Sequence, residues 1–203
     1  MYASSGTGTV SLTTYSNNST YNDEWNIAKI GYMSETATLE GQQEPAWCWA
    51  TAARMFAKHY YPQVSITQRE AVTEVKGSPI NEGGNIGEAE EAIQHYISNI
   101  PSATLNTVIK EDGPYTKNQV ISFLNSGNVI FVSRFAGDQG HSILIYGYVT
   151  IDGGYWFLIR DSLPVDYGES YLMSYEKLCN GQNALATEEA DPCTWEDSIV
   201  IGN

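Results

Sequence analysis

The hydrophobic positions in the first half of the chain recur at helical spacing. Between Trp49 and Tyr61 the apolar or aromatic side chains fall at i, i+3, i+4 and i+7, which indicates an amphipathic helix. Pro45 disfavours helical geometry at Glu44, so we expect this helix to begin close to Cys48. The residues of its apolar face are Trp49, Ala52, Ala53, Phe56, Ala57 and Tyr60.

Three further helices have recognisable start signals. Thr67 with Glu70, and Thr116 with Gln119, match the capping-box pattern, and Asn85 is a suitable N-cap for a helix between them. Each start is followed by apolar residues at helical spacing. The predicted inner residues are Ala71, Val72 and Val75 in the second helix, Ile86, Ala89, Ala92, Ile93, Tyr96 and Ile97 in the third, and Val120, Phe123 and Leu124 in the fourth.

The second half of the chain changes to short, mostly apolar runs. Residues 129–135, 142–149 and 155–160 are predicted strands, and 198–201 is a candidate closing strand. Asp152-Gly153-Gly154 is a hairpin turn signal between the second and third runs. Helices followed by strands are typical of an α+β fold. Residues 25–39 are apolar enough for one earlier strand, whereas residues 1–24 show no sustained period and are predicted to be a flexible or edge segment.

Composition and charge exclude several classes of protein. With 203 residues, 42% of them hydrophobic and 17% charged, the chain suits one folded domain, or two lobes that share a cleft. The net charge of −14 argues against a nucleic-acid partner and against binding to an anionic membrane surface. No apolar run reaches the ~20 residues that a membrane-spanning helix needs.

The N-terminal stretch bears on where the protein resides. It has no basic region followed by an apolar core, so it is not a signal peptide. It is rich in Ser, Thr, Asn, Gly and Tyr, as exported proteins often are, and we therefore expect a secreted protein whose leader is missing from this chain. A cytoplasmic location is the alternative.

The three cysteines have different predicted roles. Cys48 lies in the first turn of a helix, where unpaired N–H groups and the helix dipole lower a thiol pKa and favour the thiolate. Cys179 and Cys193 could close a loop of about 15 residues with a disulfide, which would contribute up to ~3 kcal/mol, or they could remain thiols. Because neither CxxC nor HxxxH spacing occurs, we expect no metal site and no cofactor.

A thiolate nucleophile needs a base and an oxyanion donor, and the chain offers both. Gln42 lies six residues before Cys48, where its amide could face the same point as the Cys48 N–H. His141 begins one predicted strand and Asp161 ends the next, so the hairpin brings both to the same open end. Alternatives are Gln43 for the glutamine, and Asp166 or Asp138 for the carboxylate.

The other two histidines fit the role of base less well. His59 is eleven residues after Cys48 on one helix, about 16 Å away at 1.5 Å per residue. His95 lies between helical neighbours, as a surface or groove residue does. His141 is therefore the predicted base.

The order Gln, Cys, His, Asp, with glutamine six before cysteine, resembles the papain-like cysteine peptidases. The Gln-x5-Cys-Trp-Ala start and the Gly-His-Ser-Ile…Gly-Tyr block are most similar to their bacterial branches, which include effector proteases of plant pathogens, staphylococcal papain-like proteases and bacteriocin-leader peptidases. The resemblance covers residues 42–162. It departs from papain in having Asp161 in place of asparagine, Leu163 in place of a nearby tryptophan, and no Cys-Gly-Ser-Cys-Trp run.

The resemblance implies a fold and a mechanism. It implies a papain-like domain over residues 25–203, with a helical lobe at about 42–127, an antiparallel sheet or barrel lobe at about 128–203, and the active-site cleft between them. Cys48 would be the nucleophile, His141 the general base and acid, Asp161 the residue that orients the imidazole, and Gln42 part of the oxyanion hole. The substrate would be a protein or peptide, residues 1–24 could be an inhibitory pro-segment, and we expect a monomer.

Two other functions remain open from the residues alone. A transglutaminase-like acyl transferase uses Cys, His and Asp in the same order, although Gln42 favours a peptidase. A non-catalytic binding or effector module on the same fold is the other alternative. Neither the substrate side chains nor the natural target can be inferred, because pocket walls come from scattered positions without a motif.

Overall fold

The computed structural model describes residues 27–180 and 193–202. Within them the chain forms five helices and seven strands, and every strand pair is antiparallel. The mixed α+β class predicted from the sequence is confirmed. The predicted flexible or pro-segment stretch, residues 1–24, lies outside the described residues. The elements are β1 (Ile27–Met33), α1 (Cys48–Tyr60), α2 (Gln68–Lys76), α3 (Ile86–Ile97), β2 (Thr107–Lys110), α4 (Lys117–Asn125), β3 (Ile130–Ala136), β4 (Gln139–Ile151), β5 (Gly154–Asp161), β6 (Glu169–Ser174), α5 (Tyr175–Asn180) and β7 (Thr194–Ile201).

The predicted helix starts agree with the structure. α1 begins at Cys48, and both sequence-predicted capping boxes, at Thr67 and at Thr116, are formed. Asn85 also forms a complete capping box, with Glu88. All six predicted inner residues of α3 are buried. A reciprocal cap satisfies two backbone donors that would otherwise lack a partner, which fixes where each helix begins.

The sheet has the strand order β2-β7-β3-β4-β5-β6, and β1 pairs with β4 outside that path. β4 is long enough to pair with two strands in succession along its length, in addition to β5. Its residues 139–145 pair with β3, and its residues 147–151 pair with β1. The register against β5 shifts between Ile145 and Gly147. A Cβ at Gly147 would lie 2.4 Å from the Tyr32 carbonyl oxygen, so the approach of β1 requires glycine there.

The sheet is covered on both faces, which explains why its strands are apolar runs and do not alternate cleanly. One core joins α1, α2 and α3 to residues such as Phe131 and Leu144. The other joins α4 and α5 to residues such as Val132 and Ile143. Adjacent positions of β3 and β4 therefore point into different cores.

Three elements were not predicted from the sequence, namely β2, β6 and α5. β2 has only four residues, and β6 follows a loop that contains the cis peptide bond before Pro164. The hydrophobic pattern of such short segments is too weak to reveal them. Cys179, in α5, and Cys193, just before β7, are buried thiols and form no disulfide in this structure.

Candidate active site

Cys48 is the first residue of α1 and lies at the boundary between the helices and the sheet. The N-cap residue Trp47 makes no side-chain capping hydrogen bond to α1, so no capping side chain occupies the first-turn N–H groups around Cys48. Trp47 and Trp49 are each 1% exposed and donate their indole N–H groups to carbonyls of the 80–82 loop. Both tryptophans therefore pack in the core that joins the first three helices to the sheet. They fix the turn that presents the thiol.

His141 lies near the start of β4 and contacts both of the other candidate groups. Its Nε2 is 2.7 Å from Asp161 Oδ1, and the Cys48 thiol is close enough to interact with the same side chain. Because an ionised carboxylate only accepts, Nε2 carries the proton and Nδ1 is left to face the sulfur. The structure thus brings Cys48 together with His141 and Asp161, which follow it in the sequence by 93 and 113 positions.

Asp161 is the last residue of β5 and is 1% exposed. Its Oδ1 accepts hydrogen bonds from His141 and from the Leu163 N–H at 2.9 Å, and its Oδ2 accepts one from the Tyr171 hydroxyl at 2.8 Å. Burial raises the pKa of this carboxyl. The charge and hydrogen bond of His141, together with the two other donors, lower the pKa by more than burial raises it, so the net shift is downward. Asp161 is therefore ionised.

The pKa values of the thiol and the imidazole move in opposite directions. Burial raises the pKa of Cys48, but the His141 hydrogen bond and charge, with the Ser142 and Trp49 N–H groups, outweigh it and lower the pKa. Burial lowers the pKa of His141, whereas the Asp161 charge and the Cys48 contact raise it to about 10. These shifts favour a thiolate–imidazolium pair near neutral pH.

Gln42 is fully buried and links the loop after β5 to the turn that precedes Cys48. Its backbone N–H donates to Ser162 O at 2.9 Å, and its Oε1 accepts from the Ser162 hydroxyl at 2.7 Å. Its Nε2 donates to Glu44 O at 3.0 Å and to Pro45 O at 2.6 Å. Both amide protons are thus directed at the turn that leads to Cys48, and both already have carbonyl partners.

The alternative residues lie in other environments. Gln43 is exposed, and its backbone N–H donates to the Gln68 side chain. Asp166 has φ +69 in the loop after β5, where its N–H donates to Gln42 O, and Asp138 is exposed in the β3–β4 turn. His59 binds Ser34, Thr36 and Gly127, and His95 is half-buried on α3.

Sequence reasoning missed two polar side chains next to the site. Tyr171, in β6, donates to Asp161, and Arg134, opposite His141 in the β3–β4 register, is buried and donates to the Lys177 and Cys193 carbonyls. Arg134 was hidden inside an apolar run. The available signal was a single charged residue within the predicted apolar strand 129–135, since a charged side chain is seldom fully buried without partners.

No helix in the part of the chain that the structure describes is long and apolar enough to cross a membrane. The same described residues contain no group of three or more His, Cys, Asp or Glu side chains placed to hold a metal ion.

Comparison with known proteins gives both distant structural neighbours and a family. A chain from a study of the mite allergens Blo t 1 and Der p 1 has 12% sequence identity and a TM-score of 0.48, and the match covers 82% of this chain and 67% of that one. Digestive procathepsin L 3 from the larval midgut of Tenebrio molitor has 12% identity and a TM-score of 0.48, with coverage of 85% and 75%. No curated protein sequence matches the chain.

The family assignment comes from a sequence model. A family model described as papain-like cysteine protease AvrRpt2 matches residues 32–176, more than half of the chain. The match includes Gln42, Cys48, His141 and Asp161. It confirms the resemblance to papain-like peptidases and favours hydrolysis over the acyl-transfer and non-catalytic alternatives. The chain therefore belongs to the AvrRpt2 family of papain-like cysteine proteases and is a cysteine peptidase with a papain-like fold.

Proposed function

We propose that this peptidase cleaves peptide bonds through a Cys48–His141–Asp161 triad. The observation that carries the proposal is the pair of contacts made by one imidazole, to the Cys48 thiol on one side and to the Asp161 carboxylate on the other. The Cys48 thiolate attacks the carbonyl carbon of the scissile bond and forms a tetrahedral intermediate. His141 then gives its proton to the leaving amine, which departs and leaves a thioester on Cys48.

Hydrolysis of the thioester completes the cycle. His141, now neutral, takes a proton from water, and the resulting hydroxide attacks the thioester carbonyl. The carboxylic acid product leaves, and the thiolate–imidazolium pair is restored. Asp161 holds the proton of the neutral imidazole on Nε2 and stabilises the imidazolium charge.

We further propose that the Cys48 N–H and Gln42 Nε2 bind the oxyanion. The Gln42 amide protons are directed at the turn before Cys48, which supports this assignment. Nε2 must exchange one of its two carbonyl partners for the oxyanion, which attracts the donor more strongly because it is charged. A donor of this kind typically contributes ~3 kcal/mol to stabilising the transition state.

The substrate is proposed to be a protein or peptide. Export, a bacterial source, a monomeric state and an inhibitory role for residues 1–24 remain predictions from the sequence and from the resemblance to papain-like proteases.

Labelling with a thiol-directed peptide epoxide tests the triad. We expect labelling at Cys48, loss of labelling in His141→Ala because the thiolate is no longer supported, and loss of turnover in Cys48→Ala. His95→Ala is the matched control, since it removes a half-buried histidine from α3 and should keep wild-type labelling. Labelling of His141→Ala at the wild-type rate would contradict the proposed thiolate–imidazolium pair.

A further inference from the structure

The Asp161 carboxylate has a different set of donors on each oxygen. Oδ1 accepts two hydrogen bonds, from His141 and from the Leu163 backbone, whereas the described contact of Oδ2 is the hydroxyl of Tyr171 at 2.8 Å. The side chain is only 2% exposed, so bulk water has little access to replace a lost donor. The orientation of the carboxylate therefore depends on the Tyr171 side chain, which comes from β6.

The register of β5 and β6 explains how Tyr171 reaches the carboxylate. Tyr171 is paired with Ile159, and Asp161 lies two residues further along the same face of β5. A tyrosine is long enough to contact such a diagonal neighbour. Glu169 lies directly opposite Asp161 but has no proton to donate when it is ionised.

The phenol of Tyr171 is suited to act as a permanent donor. Burial raises its pKa, the nearby charges of Asp161 and Glu169 raise it further, and the opposing effect of Arg134 is smaller, so the pKa lies well above the ordinary tyrosine value. The hydroxyl therefore keeps its proton throughout the pH range in which Cys48 and His141 titrate.

We propose that Tyr171 is a positioning residue of the peptidase, which holds Asp161 Oδ2 so that Oδ1 faces the His141 imidazole. The proposal rests on the proposed role of Asp161 in the triad. The described hydrogen bond of Tyr171 is to Asp161, so its effect on catalysis is transmitted through that carboxylate. Without the hydroxyl, Oδ2 is a buried charged oxygen that has lost the donor supplied to it by the described residues, and the carboxylate turns away from the imidazole to find another.

The test compares Tyr171→Phe with Tyr175→Phe. Tyr175 donates its hydroxyl to Tyr115 O at 2.9 Å and lies at the start of α5, so the control removes one phenol hydrogen bond without touching Asp161. For Tyr171→Phe we expect kcat to fall about tenfold with little change in KM, because a hydrogen bond to a charged group is lost only from the catalytic apparatus. Tyr175→Phe should keep the wild-type kcat.

A titration of the His141 ring by NMR separates positioning from a structural role. If the carboxylate turns away, the pKa of His141 falls in Tyr171→Phe and the alkaline limb of the activity profile moves to lower pH. An unchanged or raised His141 pKa, or a kcat equal to that of Tyr175→Phe, overturns the proposal. If Tyr171→Phe does not fold, difluorotyrosine at position 171 keeps the ring and hydroxyl, and the proposal then requires kcat and the His141 pKa to change with the acidity of that hydroxyl.

Asp161→Ala distinguishes failure of this inference from failure of the triad. If Asp161→Ala retains nearly full activity, the proposed role of Asp161 is wrong. If Asp161→Ala is strongly impaired but Tyr171→Phe is not, only the role of Tyr171 is wrong. In the double variant, the Phe substitution should cause no further loss of kcat, since Tyr171 would then have no carboxylate to position.

Discussion

Two histidines of this protein are held on both sides of the ring, yet their chemistry is opposite. His59, on α1, is placed between Gly127 O at 2.9 Å and the hydroxyls of Ser34 and Thr36, each at 2.8 Å. His141, on β4, is placed between a carboxylate and a thiol. Burial lowers the pKa of both rings, but the pKa of His59 remains lowered whereas that of His141 is raised to about 10.

The comparison shows that the charge of the partners, not burial, decides which histidine can work as an acid and base. A carbonyl accepts only, so His59 Nε2 carries the proton and Nδ1, which has one lone pair, accepts from a neighbouring hydroxyl, which satisfies a neutral ring. The partners of His141 can both be negative and therefore stabilise an imidazolium. His59 joins α1 to the ends of β1 and α4, and His141 joins the nucleophile to its carboxylate.

Replacing each histidine by alanine gives the largest expected contrast. His141→Ala should lower kcat/KM by at least about 10³-fold, because the group that forms the thiolate and protonates the amine is lost. His59→Ala should keep most of the activity but lose about 1–3 kcal/mol of stability, because a ring that makes hydrogen bonds on both sides is removed. Peptide hydrolysis and urea unfolding of both variants measure the two quantities. A strong loss of turnover in folded His59→Ala would refute this division of roles.

Replacing Asp161 by asparagine sharpens the comparison by removing only the charge. The Leu163 N–H needs an acceptor at Oδ1, so we expect the amide oxygen to stay there and the imidazole tautomer to be kept. The loss of kcat/KM should then be about 10- to 100-fold, smaller than in Asp161→Ala.

The pH profile of Asp161→Asn gives the second readout. Activity requires thiolate, present above the lowered Cys48 pKa, and imidazolium, present below the raised His141 pKa. Without the negative charge, burial pulls the His141 pKa down, so the alkaline limb should move to lower pH. An alkaline limb at its wild-type position would show that Asp161 does not sustain the imidazolium.

Much of the fold could be predicted because it depends on local signals. The caps at Thr67, Asn85 and Thr116 fix helix starts through contacts three residues apart, and the 152–154 turn fixes a hairpin. Position relative to that turn predicts that His141 and Asp161 lie at the same end of the sheet. The structure places Asp161 opposite Ile143, two residues from His141.

The contacts that complete the site could not be predicted, because each depends on non-local register. Tyr171 reaches Asp161 only through the pairing of β5 with β6, and no pattern indicated β6. The partners of Gln42 likewise depend on how the loop after β5 lies against residue 41, where a Cβ would meet the Asp166 and Tyr167 backbone at 2.3 Å. Spacing in the sequence places residues near the site but does not orient their side-chain amides or hydroxyls.

The acid sensitivity of folding gives the smallest expected effect and tests His59, the histidine whose ring is neutral. The pKa of His59 in the folded protein is below its unfolded value of about 6.5, so the unfolded chain binds more protons between those two values. The stability that His59 contributes is therefore complete above about pH 6.5 and is lost as the pH falls towards its folded pKa. His59→Gln lacks a titrating ring, so its stability should fall less steeply than that of the wild type in this window. Urea unfolding at a series of pH values measures both slopes, and equal slopes would mean that proton binding to His59 does not differ between the folded and unfolded states.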